Sequence, residues 1–231
     1  MTPTPLLPNL CVAPRQVLRC SLGEWAPELS QWGRKPVLIG GTQSLAQVKI
    51  HCPALADYPA FNYGPDCCEE SLTRLEQAIQ GESADVILGV GGGKALDTAK
   101  LVAFKTGLPI ITIPTSGATC AAWTALGNVY SPEGAFLYDA PLPRCPDLLI
   151  LDYDLILAAP TRTLVAGIGD AIATWYEASV SSADSTDTLT IAAVQQARVL
   201  RDLLLQKSAP ALAEPGGQTW REVVDATVLL A

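Results

Sequence analysis

The stretch DVILGVGGGKALDTAK, residues 85–100, carries the densest chemical signal in this chain. Four glycines, Gly89, Gly91, Gly92 and Gly93, fall within five positions at the end of an apolar, strand-type run. Lys94 follows as a helical pattern opens. Glycines at such a turn let backbone approach a ligand, because no Cβ stands in the way. The free N–H groups of the next helix then attract an anion, typically a phosphate, and Lys94 adds a positive charge at the same place. A Walker A loop would need glycine at 88 and Ser or Thr at 95, where Leu88 and Ala95 stand. A dinucleotide G-x-G-x-x-G fingerprint begun at Gly89 would need glycine at Lys94. The competing reading is a tight turn that packs a helix close to a strand.

Two further segments offer polar groups in unusual settings. Ile113–Leu126 leaves a buried-type strand and carries hydroxyls at Thr115, Ser116, Thr119 and Thr124. Short hydroxyl side chains suit hydrogen bonds to phosphate or ribose oxygens, though an ordinary Ser/Thr-rich loop looks the same. Arg162–Glu177 places Asp170 in apolar surroundings where a helix is expected to start, so taken alone Asp170 reads as an N-terminal cap.

The elements that must hold these groups alternate in type. Strands are expected at 36–40, 60–63, 86–90, 109–113 and 147–151, those at 36–40 and 109–113 buried, with helices over 95–105 and from Asp66, whose spacing to Glu69 resembles a capping box. Leu72, Leu75 and Ile79 share one face of that second helix. Such alternation argues for a parallel sheet covered on both faces, with ligands beyond the carboxyl ends of its strands. Segments 126–130 and 135–138 flank Ser131-Pro-Glu-Gly134 and read as a hairpin. Beyond about residue 158 only helical patterns remain, at 162–166, 170–180, 186–205 and from 219 onward. The expectation is an α/β domain over 1–158 followed by an all-helical domain begun at 159–231. The last helix stops while still apolar, with no cap or proline stop, which suggests a fragment.

Composition excludes several classes. The chain has 231 residues, 49% apolar and 16% charged, with a formal net charge of −8. That charge argues against nucleic acid as a partner. No run reaches the ~18 apolar residues of a membrane span, and Met1–Pro5 does not begin a signal peptide. Seven cysteines with no C-x-x-C pair suggest reduced thiols in a cytoplasmic protein.

In this order, Gly91–Lys100, Ile113–Thr115 with its hydroxyl loop, and Gly167–Ala178 resemble the iron-containing alcohol dehydrogenase superfamily, nearest its glycerol dehydrogenase branch. The resemblance spans roughly residues 10–231. It implies a nucleotide-binding α/β domain, a helical second domain incomplete here, and an active site in the cleft between them. It also implies hydride transfer between an alcohol or polyol and NAD or NADP, with a divalent metal, Zn or Fe, holding the substrate oxygen. By position, the pyrophosphate would lie on Gly91, Gly92, Gly93 and Lys94, with Asp97 nearby. Thr115, Ala118, Thr124, Leu126 and Tyr130 would line the nicotinamide side, and Asp170 would be a metal and substrate ligand. A small-molecule alcohol or polyol is the implied partner, and a homo-oligomer is expected of a full-length protein.

Three departures qualify the resemblance. The family completes its metal site with two later histidines, whereas the single histidine here is His51, expected at the surface. The chain alone is therefore expected to be inactive; a nucleotide-binding pseudoenzyme is the alternative, with glycerol-1-phosphate dehydrogenase or a dehydroquinate synthase-like lyase as related possibilities. Cys120 stands where the glycerol branch has a substrate-contacting aspartate, and a packing thiol is favoured there over a nucleophile. The first strand ends in Gly40-Gly41 without the acidic residue usual for NAD, which admits NADP.

Overall fold

The computed structural model describes residues 13–230; residues 1–12, with the Met1–Pro5 segment, and Ala231 lie outside the described residues. In chain order come β1 (Gln16–Arg19), α1 (Leu22–Trp25), β2 (Pro36–Gly40), α2 (Thr42–His51), β3 (Ala60–Asn62), α3 (Glu69–Glu82), β4 (Val86–Gly91), α4 (Gly93–Thr106) and β5 (Ile110–Pro114). Then follow β6 (Leu126–Tyr130), β7 (Phe136–Pro141), β8 (Leu148–Leu151), α5 (Tyr153–Leu157), α6 (Thr161–Ser181), α7 (Thr188–Ala213) and α8 (Gln218–Asp225). The last described residues, Ala226–Leu230, continue α8 as a wider helical turn.

Six strands form one parallel sheet in the order β1-β8-β5-β4-β2-β3. Its central strands are buried on both faces, which is why they read as unbroken apolar runs rather than alternating ones. Alternate side chains feed opposite layers. Leu38, Leu88 and Ile150 pack beneath α1, α2 and α5. Val37, Ile39 and Ile87 pack beneath α3 and α4, where the β6–β7 hairpin also lodges Val129. A third cluster joins Leu149 and Leu151 of β8 to α6, α7 and α8. The hairpin turns at Ser131–Gly134, with Gly134 at φ +87° and its N–H donating to the Ser131 carbonyl.

Two helix boundaries differ from expectation. Helix α3 begins at Glu69 with Cys68 as its N-cap, so Asp66 caps nothing and its carboxylate goes elsewhere. The segments 162–166 and 170–180 are one helix, and Asp170 sits in its middle rather than at a start. Gly167 and Gly169 suggested a break, since each costs about 1 kcal/mol against alanine in a helix. Packing outweighs that cost. A Cβ on Gly167 would stand 1.9 Å from the Gly117 carbonyl oxygen, so only glycine lets α6 lie on the loop after β5.

That contact fixes how the helices meet the sheet. Gly167→Ala is expected to lower stability by about 2–4 kcal/mol, because backbone must move to admit the methyl. Urea denaturation followed by circular dichroism measures it; an unchanged midpoint would mean the approach is not close.

Candidate functional site

The carboxyl ends of β2, β4 and β5 lie at Gly40, Gly91 and Pro114, paired in register across the sheet. Above them opens a cleft of about 500 Å³. Three helices present their first turns to it: Thr42–Ser44 of α2, Gly93–Ala95 of α4 and Thr161–Thr163 of α6. Their N-caps are Gly41, Gly92 and Pro160, and none of the three caps makes a side-chain hydrogen bond. Each helix start therefore retains backbone N–H groups and the positive end of its dipole facing the cleft. Thr115 and Ser116 close the floor.

The four glycines divide into two jobs. A Cβ on Gly89 would stand 2.7 Å from the Ala99 Cβ, and one on Gly91 2.8 Å from the Ala95 Cβ. Those two let α4 pack against β4, and Gly91 adds a φ of +146° that other residues rarely adopt. Gly92 is different: a Cβ there would meet only the Ser116 hydroxyl, at 3.5 Å. Its missing side chain leaves space in the cleft. The packing reading applies at Gly89 and Gly91, while Gly92 faces open space.

Lys94 extends from the first turn of α4, its side chain 44% exposed. Its Nζ donates to Asp66 Oδ2 at 2.5 Å and lies 4.7 Å from the centre of the Tyr130 ring. The Asp66 hydrogen bond holds the Lys94 ammonium above the usual lysine range.

Asp97 points away from the cleft. It is buried, its Oδ1 lies 3.0 Å from Lys100 Nζ, and its Oδ2 accepts from the Asn128 N–H at 3.2 Å. Burial pushes the carboxyl up, while Lys100 acts against that. Lys100, only 2% exposed, also donates to the Thr124 carbonyl and hydroxyl at 3.1 Å each and to the Leu126 carbonyl. Asp97 thus touches the site indirectly, through the segment that carries Thr124 and Leu126.

Of the other expected residues, Thr115 lines the cleft, whereas Ala118, Cys120, Thr124, Leu126, Tyr130 and Asp170 do not. The Thr115 N–H donates to the Gly91 carbonyl, tying the hydroxyl loop to the glycine turn. Ala118 lies in that loop, partly exposed, next to the Gly117 contact with α6. Tyr130 stacks edge-on to Phe136 with ring centres 6.1 Å apart. Cys120 opens a short 3-10 turn over 120–122. Burial raises its thiol pKa, Lys100 opposes this, and the Asp170 charge adds to it, so Cys120 and Asp170 share one electrostatic neighbourhood. Asp170 lies on the exposed side of α6, its pKa raised by loss of solvent and then by Glu177. His51 ends α2 at the pole opposite the cleft, with Nδ1 3.0 Å from the Gln47 carbonyl.

Three contributors carried no readable sequence signal for the part they play, and a fourth carried only a trace. Ser44 Oγ accepts from the Gly41 N–H and lies within hydrogen-bonding reach of the Val90 carbonyl, joining α2 to β4. Arg162 enters the cleft only because α6 begins there. Asp66 meets Lys94 across 28 residues. Lys100 left a trace, as a charge three residues after Asp97 in the same helical pattern.

A family model described as "Iron-containing alcohol dehydrogenase" matches residues 17–153. An uncharacterized oxidoreductase of Synechocystis sp. is 56% identical over 230 residues, covering 97% of this chain and 60% of the relative. A glycerol dehydrogenase of Thermotoga maritima is 46% identical over 116 residues, which is 50% of this chain and 32% of that protein. The crystal structure of a probable glycerol dehydrogenase from Sinorhizobium meliloti superposes with a TM-score of 0.82 at 27% identity, covering 96% of this chain and 65% of the other. The chain therefore spans less than two thirds of the length of each of these relatives.

The buried pair makes a sharp demand. Lys100→Met strands the Asp97 carboxylate and should cost about 3–5 kcal/mol, with part recovered in the Asp97→Asn/Lys100→Met double variant. Thermal and urea unfolding of the three proteins measure this; equal losses in single and double variants would mean the two residues do not act as a pair.

Proposed function

This chain belongs to the iron-containing alcohol dehydrogenase family, and we propose that it forms the cofactor-holding part of an oxidoreductase that moves hydride between an alcohol or polyol and NAD(P). The observation that supports this best is the convergence of three N-termini and Lys94 on one cleft above a parallel sheet. A dinucleotide presents two adjacent phosphates, and that set of donors suits them.

The residues present fit such a cofactor. Gly92 and Gly93, together with the special backbone at Gly91, would bring main-chain N–H groups against the pyrophosphate, and Lys94 would neutralise part of its charge. Thr115, Ala118, Thr124, Leu126 and Tyr130 would line the nicotinamide side, their course fixed by Lys100 and Asp97. The nicotinamide supplies the hydride chemistry when bound. The protein's part is to orient the ring and keep water from it. The neutral Cys120 thiol and the Asp170 carboxylate, which share one electrostatic neighbourhood, would serve the substrate. Gly41 and Thr42 place no carboxylate at the ribose end, which leaves NADP acceptable beside NAD.

The metal reading fares differently. Among the described residues no group of three or more His, Cys, Asp or Glu could hold an ion. Asp170 stands as a single donor, and His51 is at the far end of α2. The described residues do not fit a complete metal site. The alternative reading is a nucleotide-binding pseudoenzyme, which the same cleft would serve. Residues 159–231 are taken as the start of the second, helical domain in either reading.

Fluorescence titration with NADH and NADPH tests the cofactor assignment. A Cβ at Gly92 meets only the Ser116 hydroxyl, so Gly92→Ala, and more strongly Gly92→Val, should crowd the cleft and weaken binding, about tenfold or more for valine, with little change in melting temperature for alanine. If the unsubstituted chain binds neither dinucleotide, the assignment fails.

A further inference from the structure

The carboxylate of Asp66 has left the helix that follows it. The residue is 4% exposed, beneath the hairpin turn, where a Cβ on Gly134 would stand 3.4 Å from Oδ2. Oδ1 accepts from the Cys67 N–H at 2.9 Å, and Oδ2 takes the Lys94 ammonium at 2.5 Å. A buried carboxylate is stable only when paired, so Asp66 and Lys94 hold each other in one arrangement.

We propose that Asp66 is a positioning residue for the anion cleft: it pins Lys94 across the Tyr130 face, so that the ammonium meets the phosphates already oriented. This rests on the cofactor reading above. A free lysine has a flexible stem whose rotamers must be frozen on binding, and that entropy is a direct loss of affinity. Here the stem is fixed beforehand at both the carboxylate and the ring. An ammonium has three donors. Asp66 takes one, and the 44% exposure of the side chain leaves the others open to the cleft. Asp66 itself lies beneath the surface and reaches a ligand only through Lys94. The position also explains why a local reading misplaced the residue. Its spacing to Glu69 imitates a cap, while its partner stands 28 residues away.

A double-mutant cycle on the 231-residue chain tests this, using Asp66→Asn, Lys94→Met and both together. The dissociation constants of NADH and NADPH are read by fluorescence, and melting temperature is followed alongside. Asp66→Asn keeps the shape of the side chain but not its charge, and should weaken binding about five- to tenfold. Lys94→Met should weaken it at least as much, and adding Asp66→Asn to Lys94→Met should change the dissociation constant less than twofold. A role confined to folding would move melting temperature and leave this coupling absent. The proposal is overturned if Asp66→Asn binds as tightly as the unsubstituted chain, or if its effect is undiminished beside Lys94→Met. Failure of the unsubstituted chain to bind either dinucleotide would instead remove the cofactor reading, and this proposal with it.

Discussion

A buried charge organises this end of the molecule. Lys100 can remain ionised in the interior only if every N–H finds an acceptor. The acceptors it finds belong to different pieces of chain: Asp97 on its own helix, and the backbone of Thr124 and Leu126 beyond β5. The ion pair therefore does what apolar contact alone does poorly, specifying the register in which an irregular segment meets α4. Asp97 repeats the specification from the other side by accepting the Asn128 N–H. From that anchored segment the hairpin grows, and with it Tyr130, whose ring carries Lys94. A chain of contacts thus leads from the middle of α4 back to its first turn.

Helix α6 ties the second half of the chain to the same place. Its first turn lines the cleft, Gly167 lies on the backbone of Gly117, and Asp170 follows one turn later. At 1.5 Å per residue, Arg162 and Asp170 are about 12 Å apart along one rod. The helix cannot reposition one without the other. The hydroxyl loop, pressed beneath it, has a path set by a main-chain contact.

How far these features could be read in advance depended on whether their cause was local. The central strands were legible, because burial on both faces demands continuous apolar residues in sequence. The glycine turn was legible as well, since the run of glycines marks the place where the backbone at Gly91 excludes a side chain. Strand β1 was not, because an edge strand with partial burial tolerates Gln16 and Arg19. The continuity of α6 across Gly167 and Gly169 was hidden because its cause, the crossing with Gly117, is fifty residues away in sequence. Asp66, Ser44 and Arg162 acquire their meaning only when distant segments meet. Family resemblance, carried by the motifs at 91–100, 113–115 and 167–178, drew attention to Asp97 but could not say that its side chain is buried.

The cleft's positive lining sits in a body of net charge −8. An anion arriving from solution first meets a field of its own sign and is drawn in only over the last few ångströms, where helix ends and Lys94 dominate. Added salt then acts oppositely on the two stages. It screens the long-range repulsion and quickens encounter, while it loosens the short-range grip and quickens escape. The balance between capture and release is thereby tied to ionic strength through the rates, even where the equilibrium constant moves little.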